Sequence, residues 1–523
     1  MKKYIILFLF FVIVFPITVN AGIGDMGFFG GITEGRPLPR TIEQLLVQQG
    51  VQNRNGQGGS VDTFEYNELI FLNGRPVLFE GSMNIVSGRP DVNSQVGTFF
   101  VQYRVNPSIA TTDVELSRFM NFEVSYRRVN DQIVYHYNVI RTSWSEIIIM
   151  PDAAFVLDNQ RSTYNLSILE HKTPGVSYYR GDIVGRLIYT VYEVDAGGGI
   201  GDPTGETVVV NQMGSFHGFS SAWSASETLR LNVDIERDGW GAISYQIRPN
   251  ITANKTLQFV YNEPTMISFE GNYHELVQRF AGLQYDIFFA PNFMWDEPRT
   301  GNISLQAPID FEQLPAPDMS RFRGMSAEDD LHRLFAMQIF QGNPNNFNPG
   351  QAITRGQFTS ALVRAVNIPV EEVVIPRSGR MPVIPSIFSD LAVTHPEYSF
   401  IRAAHDTNVL FERSSSDNFY FDFAITREEA FSMVIRALGL VNLSPNPTVM
   451  TPFSDTNEIS NWAMRYINVA HMLGLAHPNG EGNLSPQRPI TVAEAAVLLN
   501  HLVSFLRHDL TSEFAEQIVN IVT

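Results

Sequence analysis

Three short segments hold the residues whose types and spacing suggest chemistry: Gln351-Ala-Ile-Thr-Arg-Gly-Gln-Phe, Phe423-Ala-Ile-Thr-Arg-Glu-Glu-Ala and Arg488-Pro-Ile-Thr-Val-Ala-Glu-Ala. Their threonines, Thr354, Thr426 and Thr491, stand 72 and 65 residues apart. Each threonine is followed three residues later by Gln357, Glu429 or Glu494. That spacing is a capping box, in which the hydroxyl accepts from the backbone N–H three residues on and the longer side chain reaches back to the threonine N–H. Arg355 and Arg427 take the first helical position, and Val492 replaces arginine in the third segment. A guanidinium can grip a carboxylate bidentately, although positive charge at that end slightly opposes the helix dipole.

The same search in residues 22–317 finds no catalytic constellation. The stretch from Gly197 to Gly205 lacks the Lys-Ser/Thr of a phosphate loop, and neither a Gly-x-Ser-x-Gly elbow nor a His-Glu-x-x-His helix occurs. Phe79-Glu80-Gly81 and Phe269-Glu270-Gly271 repeat a tripeptide, and glycoside hydrolysis needs paired carboxylates. Acids at strand ends are ordinarily solvated, however, and His136 reads as a face residue between tyrosines. His405 and His471 recur at one helical position without a second metal ligand nearby. No metal or cofactor is expected.

The elements that must position the threonines and arginines are helices. After each threonine, apolar residues recur four, seven, eight and eleven positions on: Phe358, Ala361, Leu362 and Ala365 in the first case. This stripe predicts one buried face per helix. A second helical pattern lies upstream each time, at about Asp330 to Phe340, Tyr398 to Asn408 and Trp462 to Leu473. Phe388-Ser389-Asp390 and Phe453-Ser454-Asp455 open the last two units alike, each 38 residues before its threonine. Before Pro315-Ala316-Pro317 the period is two. Leu229, Leu231, Val233 and Ile235 alternate with polar residues, Asp238-Gly239 supplies a turn, and Ile243, Tyr245 and Ile247 predict the returning strand. The breaker cluster from Ala196 to Gly205 is read as a division between two β modules.

The chain has 523 residues, 44% hydrophobic content and no cysteine. It can bury several cores without disulfides or thiolate metal sites. Lys2 and Lys3, an apolar run from Tyr4 to about Ile17, and Val19-Asn20-Ala21 predict a signal peptide whose removal leaves no transmembrane anchor. Formal charge is −18, and −20 without those two lysines, which argues against nucleic acid as a partner.

The threefold recurrence resembles the S-layer homology (SLH) domain. The features that carry the likeness are the Phe-x-Asp openings at Phe388 and Phe453, the Trp462-Ala463 pair, Gly474, and the Ile-Thr-Arg starts. The resemblance implies a pseudo-threefold helical bundle whose grooves bind secondary cell-wall polysaccharide, commonly through a pyruvylated sugar. It further implies that Arg355 and Arg427 meet the pyruvate carboxylate, helped by the helix N-terminus. Thr354, Thr426, Asp390, Asp455 and Trp462 are further candidates to touch the polymer. The caps are first of all structural, and Trp462 reads as core before it reads as a sugar platform. The first unit lacks a clear Phe-x-Asp opening and has Gln338 at the glycine position.

The expected fold class is α+β and multidomain: a β-rich, sandwich or barrel-like N-terminal region followed by an all-α bundle of three SLH repeats. The expected divisions are a signal peptide at 1–21, β-rich modules at 22–195 and 206–317, repeats at 325–370, 386–442 and 452–508, and a tail at 509–523. The expected function is a secreted, non-covalently anchored cell-surface or S-layer-associated protein that binds wall polysaccharide and displays the β-rich region, with other surface-layer proteins as further partners. The competing readings are an SLH-anchored polysaccharide-active enzyme and a carbohydrate-binding adhesin.

Overall fold

The computed structural model describes residues 30–33, 62–88, 94–107, 114–261, 271–289, 299–306, 309–370, 386–410, 417–444, 451–514 and 518. The signal segment at 1–21 and two residues of the second Phe-Glu-Gly tripeptide lie outside them. Among the described residues, fifteen strands form a single antiparallel sheet. They are Ile32–Thr33 (β1), Asp62–Ile70 (β2), Val77–Ser87 (β3), Val96–Pro107 (β4), Glu115–Val129 (β5), Gln132–Ile149 (β6), Ala154–Leu157 (β7), Thr163–Lys172 (β8), Val176–Val194 (β9), Ile200–Ser221 (β10), Ser224–Arg237 (β11), Gly241–Tyr261 (β12), Gly271–Phe289 (β13), Thr300–Gln306 (β14) and Asp310–Gln313 (β15). Neighbours in sequence are mostly neighbours in the sheet, as short turns demand. The expected hairpin is present, with Leu231 opposite Ile247, Val233 opposite Tyr245 and Ile235 opposite Ile243. The segment from Ala196 to Gly205 does not separate two modules. It forms the tip of the β9–β10 hairpin and the start of β10, and the strands on both sides share one sheet and one core. Glycines and a proline at a hairpin tip give the same local signal as a linker.

Alternation decides which face is inside. Along β5, Leu116, Met120, Phe122, Val124 and Tyr126 are buried, while Glu115, Ser117, Glu123 and Arg127 are exposed. The sheet rolls up to bury the apolar face. Phe71, just past β2, stacks on Tyr245 of β12 with ring centroids 3.9 Å apart. Across a flat sheet those strands are nine steps of roughly 4.8 Å from each other, about 43 Å.

The rolled interior also encloses charge. Arg118 of β5 donates to Glu68 of β2 at 2.6 and 3.0 Å and to Glu146 of β6 at 2.7 and 3.0 Å. The Tyr189 hydroxyl on β9 donates to Glu146 at 2.9 Å, and the Tyr66 hydroxyl donates to Glu68. Burial alone would lower the Arg118 pKa, but the two carboxylates outweigh it and hold it well above its ordinary value. Every strand named here is tied to the others through one guanidinium.

Among the described residues of the C-terminal part, the three units contribute two helices each: Glu328–Ala336 (α1), Arg355–Val366 (α2), Tyr398–Asp406 (α3), Arg427–Leu438 (α4), Met464–Met472 (α5) and Val492–Ser504 (α6). The first helix of each unit ends at a left-handed residue, Gln338 (φ 56°), Asn408 (φ 58°) or Gly474 (φ 66°). The C-terminal ends of the second helices meet the turns of the sheet. The Trp223 indole N–H, at the β10–β11 turn, donates to the Ala365 carbonyl at 2.6 Å, and the Gly175 N–H, at the β8–β9 turn, donates to the Ala437 carbonyl at 2.8 Å. These carbonyls are among those a helix end leaves without an intrahelical partner. Val176, Tyr178, Phe219 and Trp223 belong to the same hydrophobic cluster as the helices.

Removing the central guanidinium while leaving its partners buried tests the network. Arg118→Met is expected to lower stability by about 3–5 kcal/mol, read from urea unfolding midpoints. The triple variant that also carries Glu68→Gln and Glu146→Gln is expected to recover much of that loss.

Candidate functional site

The three Ile-Thr segments meet in a closed ring. The Ile353 N–H donates to the Ile490 carbonyl at 3.0 Å, the Ile490 N–H to Ile425 at 3.0 Å, and the Ile425 N–H to Ile353 at 3.3 Å. All three isoleucines are buried. Immediately after the ring, all three predicted capping boxes form, at Thr354, Thr426 and Thr491. The next two N–H groups of each helix donate to a loop of the next unit in cyclic order: Arg355 and Gly356 to Phe423 and Phe421, Arg427 and Glu428 to Arg488 and Pro486, Val492 and Ala493 to Gln351 and Pro349. The backbone donors at these helix starts are therefore consumed inside the protein. The sequence suggests that these helix starts assist the arginines, whereas their first free N–H groups already have loop carbonyls as partners.

The arginines follow the same cycle. Arg355 is 3% exposed, lies over the Phe419 ring, and reaches Glu429 of the next unit at 3.5 Å. Arg427 donates to the Leu484 carbonyl at 2.8 Å and to Glu494 of the third unit at 3.2 Å. Burial lowers its pKa, with Glu494 acting against the shift. In the third unit Val492 stands where the arginine would be, and the cyclic order makes Gln357 its counterpart. The cation and the acid are lost together, so neither is left buried alone.

Asp390 accepts from the N–H groups of Phe419 and Tyr420 at 2.7 and 2.6 Å. Asp455 accepts from those of Leu484 and Ser485 at 2.8 and 2.6 Å. Each carboxylate clamps the loop before the second helix, at a residue with positive φ: Tyr420 (61°) or Ser485 (56°). Asp318 was missed from sequence because no phenylalanine precedes it. It stands 36 residues before Thr354, the spacing that Asp390 and Asp455 keep from Thr426 and Thr491. It accepts from the Ser320 N–H at 3.1 Å and from Asn345.

Trp462 is 44% exposed, whereas its neighbour Ala463 is fully buried, so the core reading of this tryptophan does not hold. The start of α5 turns only one side inward, and the alanine takes it. Two residues earlier, Ser460 is held by Glu428 through its N–H at 3.0 Å and its hydroxyl at 2.8 Å. Gln487 donates to the Glu458 carbonyl at 3.0 Å and so ties the loop before α5 to the residue preceding Arg488. The Arg488 side chain is 47% exposed and grips Glu494, the carboxylate that Arg427 also approaches. Arg427, Arg488 and Trp462 thus gather around the junction of the second and third units, while Arg355 is closed off at the junction of the first and second.

Burial would raise the Glu494 carboxyl, but Arg488, the Thr491 N–H and Arg427 together hold it below its usual value. A carboxyl depressed on folding contributes stability above its unfolded pKa, about 4.3 for glutamate, and that contribution is lost as pH falls through the folded value. Glu494→Gln is therefore expected to lower the Tm at pH 7, with the gap to wild type closing as pH falls below about 4. Calorimetry between pH 7 and 3 checks this, and a gap constant over that range contradicts it.

The S-layer homology domain family model matches residues 323–359 and 452–496, the first and third units. A stretch of 181 residues is 29% identical to an amylopullulanase of Thermoanaerobacterium thermosulfurigenes, covering 34% of this chain and 9% of that protein. The surface-layer 125 kDa protein of Lysinibacillus sphaericus is 26% identical over 190 residues, 36% of this chain and 15% of its own length. Exoglucanase XynX of Acetivibrio thermocellus is 26% identical over 179 residues, 34% of this chain and 15% of its own. The chain thus spans well under a fifth of these relatives, which share about a third of it. The interlocked helical units, their caps and the family match agree: this protein carries S-layer homology domains.

Proposed function

We propose that this protein is exported and held non-covalently on the cell wall, with its three repeats acting as one pseudo-threefold anchor for an acidic wall polysaccharide and its rolled β-sheet displayed outside the cell. The observation that carries the reading is the hydrogen-bond ring, which brings three helix starts to one face. Arg427, Arg488 and Trp462 at the junction of the second and third repeats are the groups that would hold the polymer. A guanidinium there can make charge-assisted hydrogen bonds to a carboxylate such as that of a pyruvyl ketal, and the exposed indole offers a flat apolar surface to a sugar ring. Thr354, Thr426, Asp390 and Asp455 build the frame, and Arg355 joins two repeats. The likeness to a surface-layer protein supports display at the cell surface.

The likeness to an amylopullulanase and an exoglucanase raises hydrolysis as a second reading. Glu68 and Glu146, which converge inside the β-sheet, are buried and bridged by Arg118, and Glu275, cross-strand neighbour of Glu312, is ion-paired with Lys255. That arrangement favours display over glycoside cleavage.

Cosedimentation of the full chain with purified walls tests the anchor. Trp462→Ala is expected to weaken wall binding tenfold or more, and because the side chain is 44% exposed and outside the helical core the variant is expected to keep a cooperative unfolding transition. Walls stripped of pyruvyl ketals by mild acid are expected to retain little protein. Undiminished binding of both the variant and the stripped walls contradicts the proposal.

A further inference from the structure

The outer face of β12, β13 and β14 carries an open groove of about 500 Å³. Clefts of roughly 300–1,000 Å³ are the size that small ligands occupy. The strand register shows how the groove is built. Asn250, Gly282 and Ser304 lie side by side on the three strands, and Arg248, Gln284 and Asn302 form the adjacent row. Gly282 puts no side chain between Asn250 and Ser304, so the middle of the face is a trough.

One aromatic ring lies across that trough. A Cβ placed on Gly282 would sit 3.0 and 3.1 Å from two ring carbons of Phe280, so the far edge of the ring overhangs the glycine. Covering a strand glycine with a neighbouring aromatic ring stabilises a sheet by itself. The ring nevertheless remains 44% exposed and opens onto the groove. Around it stand carboxamides and the hydroxyls of Thr300 and Ser304, groups that both donate and accept hydrogen bonds. The one guanidinium, Arg248, is neutralised by an ion pair with Asp286.

A flat ring beside carboxamides, with no net charge, is complementary to the apolar face and hydroxyl edge of a pyranose. An anionic polymer gains nothing here, and the chain's formal charge of −18 opposes it. A protein segment would need an apolar anchor pocket, which this shallow groove does not offer. We infer that the β12–β13–β14 face is a second carbohydrate site, which binds a neutral glycan chain by stacking on Phe280 and hydrogen bonding to Asn250, Gln284 and Asn302. It is separate from the repeat junction in both position and charge preference.

The test uses the full chain, titrated calorimetrically with cellohexaose, chitohexaose and mannohexaose. At least one is expected to bind with a Kd below about 1 mM, and Phe280→Ala is expected to weaken that binding tenfold or more. Gly282→Val, which pushes the ring off the trough, is expected to act in the same direction. Wall cosedimentation by both variants is expected to match wild type, which shows that they fold and keeps this site distinct from the anchor. Failure of all three hexasaccharides to bind, or full binding by Phe280→Ala, overturns the inference.

Discussion

The ring of backbone hydrogen bonds through Ile353, Ile425 and Ile490 is the constraint on which the helical part depends. A strand bridge normally extends to either side, but here each residue donates to one neighbour and accepts from the other, so the set closes on itself. Closure fixes three helix starts at one place, and buried backbone groups without partners are costly enough that the ring cannot open locally without loss. The caps and the loop carbonyls of the next unit then take up the donors that a helix start leaves unpaired. The consequence is directional. Helices of 12 residues are about 18 Å long, so α2 and α4 carry the chain from the ring to the turns of the β-sheet, where Trp223 and Gly175 meet their last carbonyls. The ring face and the sheet therefore lie at opposite ends of these helices.

Given that frame, several differences between the repeats come in matched sets. Arginine at the first helical position accompanies an acid in the next unit, and valine accompanies glutamine. The loop before the helix behaves likewise. Pro349 and Pro486 hold one loop position in the first and third units, and Phe421 holds it in the second. Where the phenylalanine stands, the facing helix carries Gly356, whose Cβ would come within 2.3 Å of the Phe421 ring. The glycine is thus kept for space at a helix position where alanine would otherwise be preferred.

What could be read in advance follows from how local each signal is. A capping box spans four residues and its hydrogen bonds are made within them, so Thr354, Thr426 and Thr491 were legible. The β11–β12 hairpin was legible for the same reason, since alternation and a turn lie within twenty residues. The β9–β10 tip was misread because a glycine cluster does not state whether the chain turns back or moves on. The burial of Arg355 depends on Phe419 and Glu429 of the next unit, 64 and 74 residues away, and the exposure of Trp462 depends on which side of α5 faces the core. Neither is encoded in the nearby residues. Asp318 was concealed by the missing phenylalanine, although its spacing from Thr354 was the available signal.

The join between the two parts determines what kind of anchor this is. A flexible linker would let the β-sheet sample many orientations above its attachment point. Here Tyr178 and Phe219 pack on Phe514, the Trp223 indole lies under the Arg507 guanidinium at 4.3 Å, and Thr173 occupies the space beside Gly439. These contacts join turns of the sheet to helix ends in one continuous hydrophobic cluster, and a cluster packed to interior density resists hinge motion. With the ring face at the far end of the helices, the proposed wall contact through the second and third repeats would hold the sheet at a set distance and angle from it. Fixed presentation of this kind suits a coat or a lattice, in which neighbouring copies must meet in register, better than it suits a tethered enzyme that gains from reach.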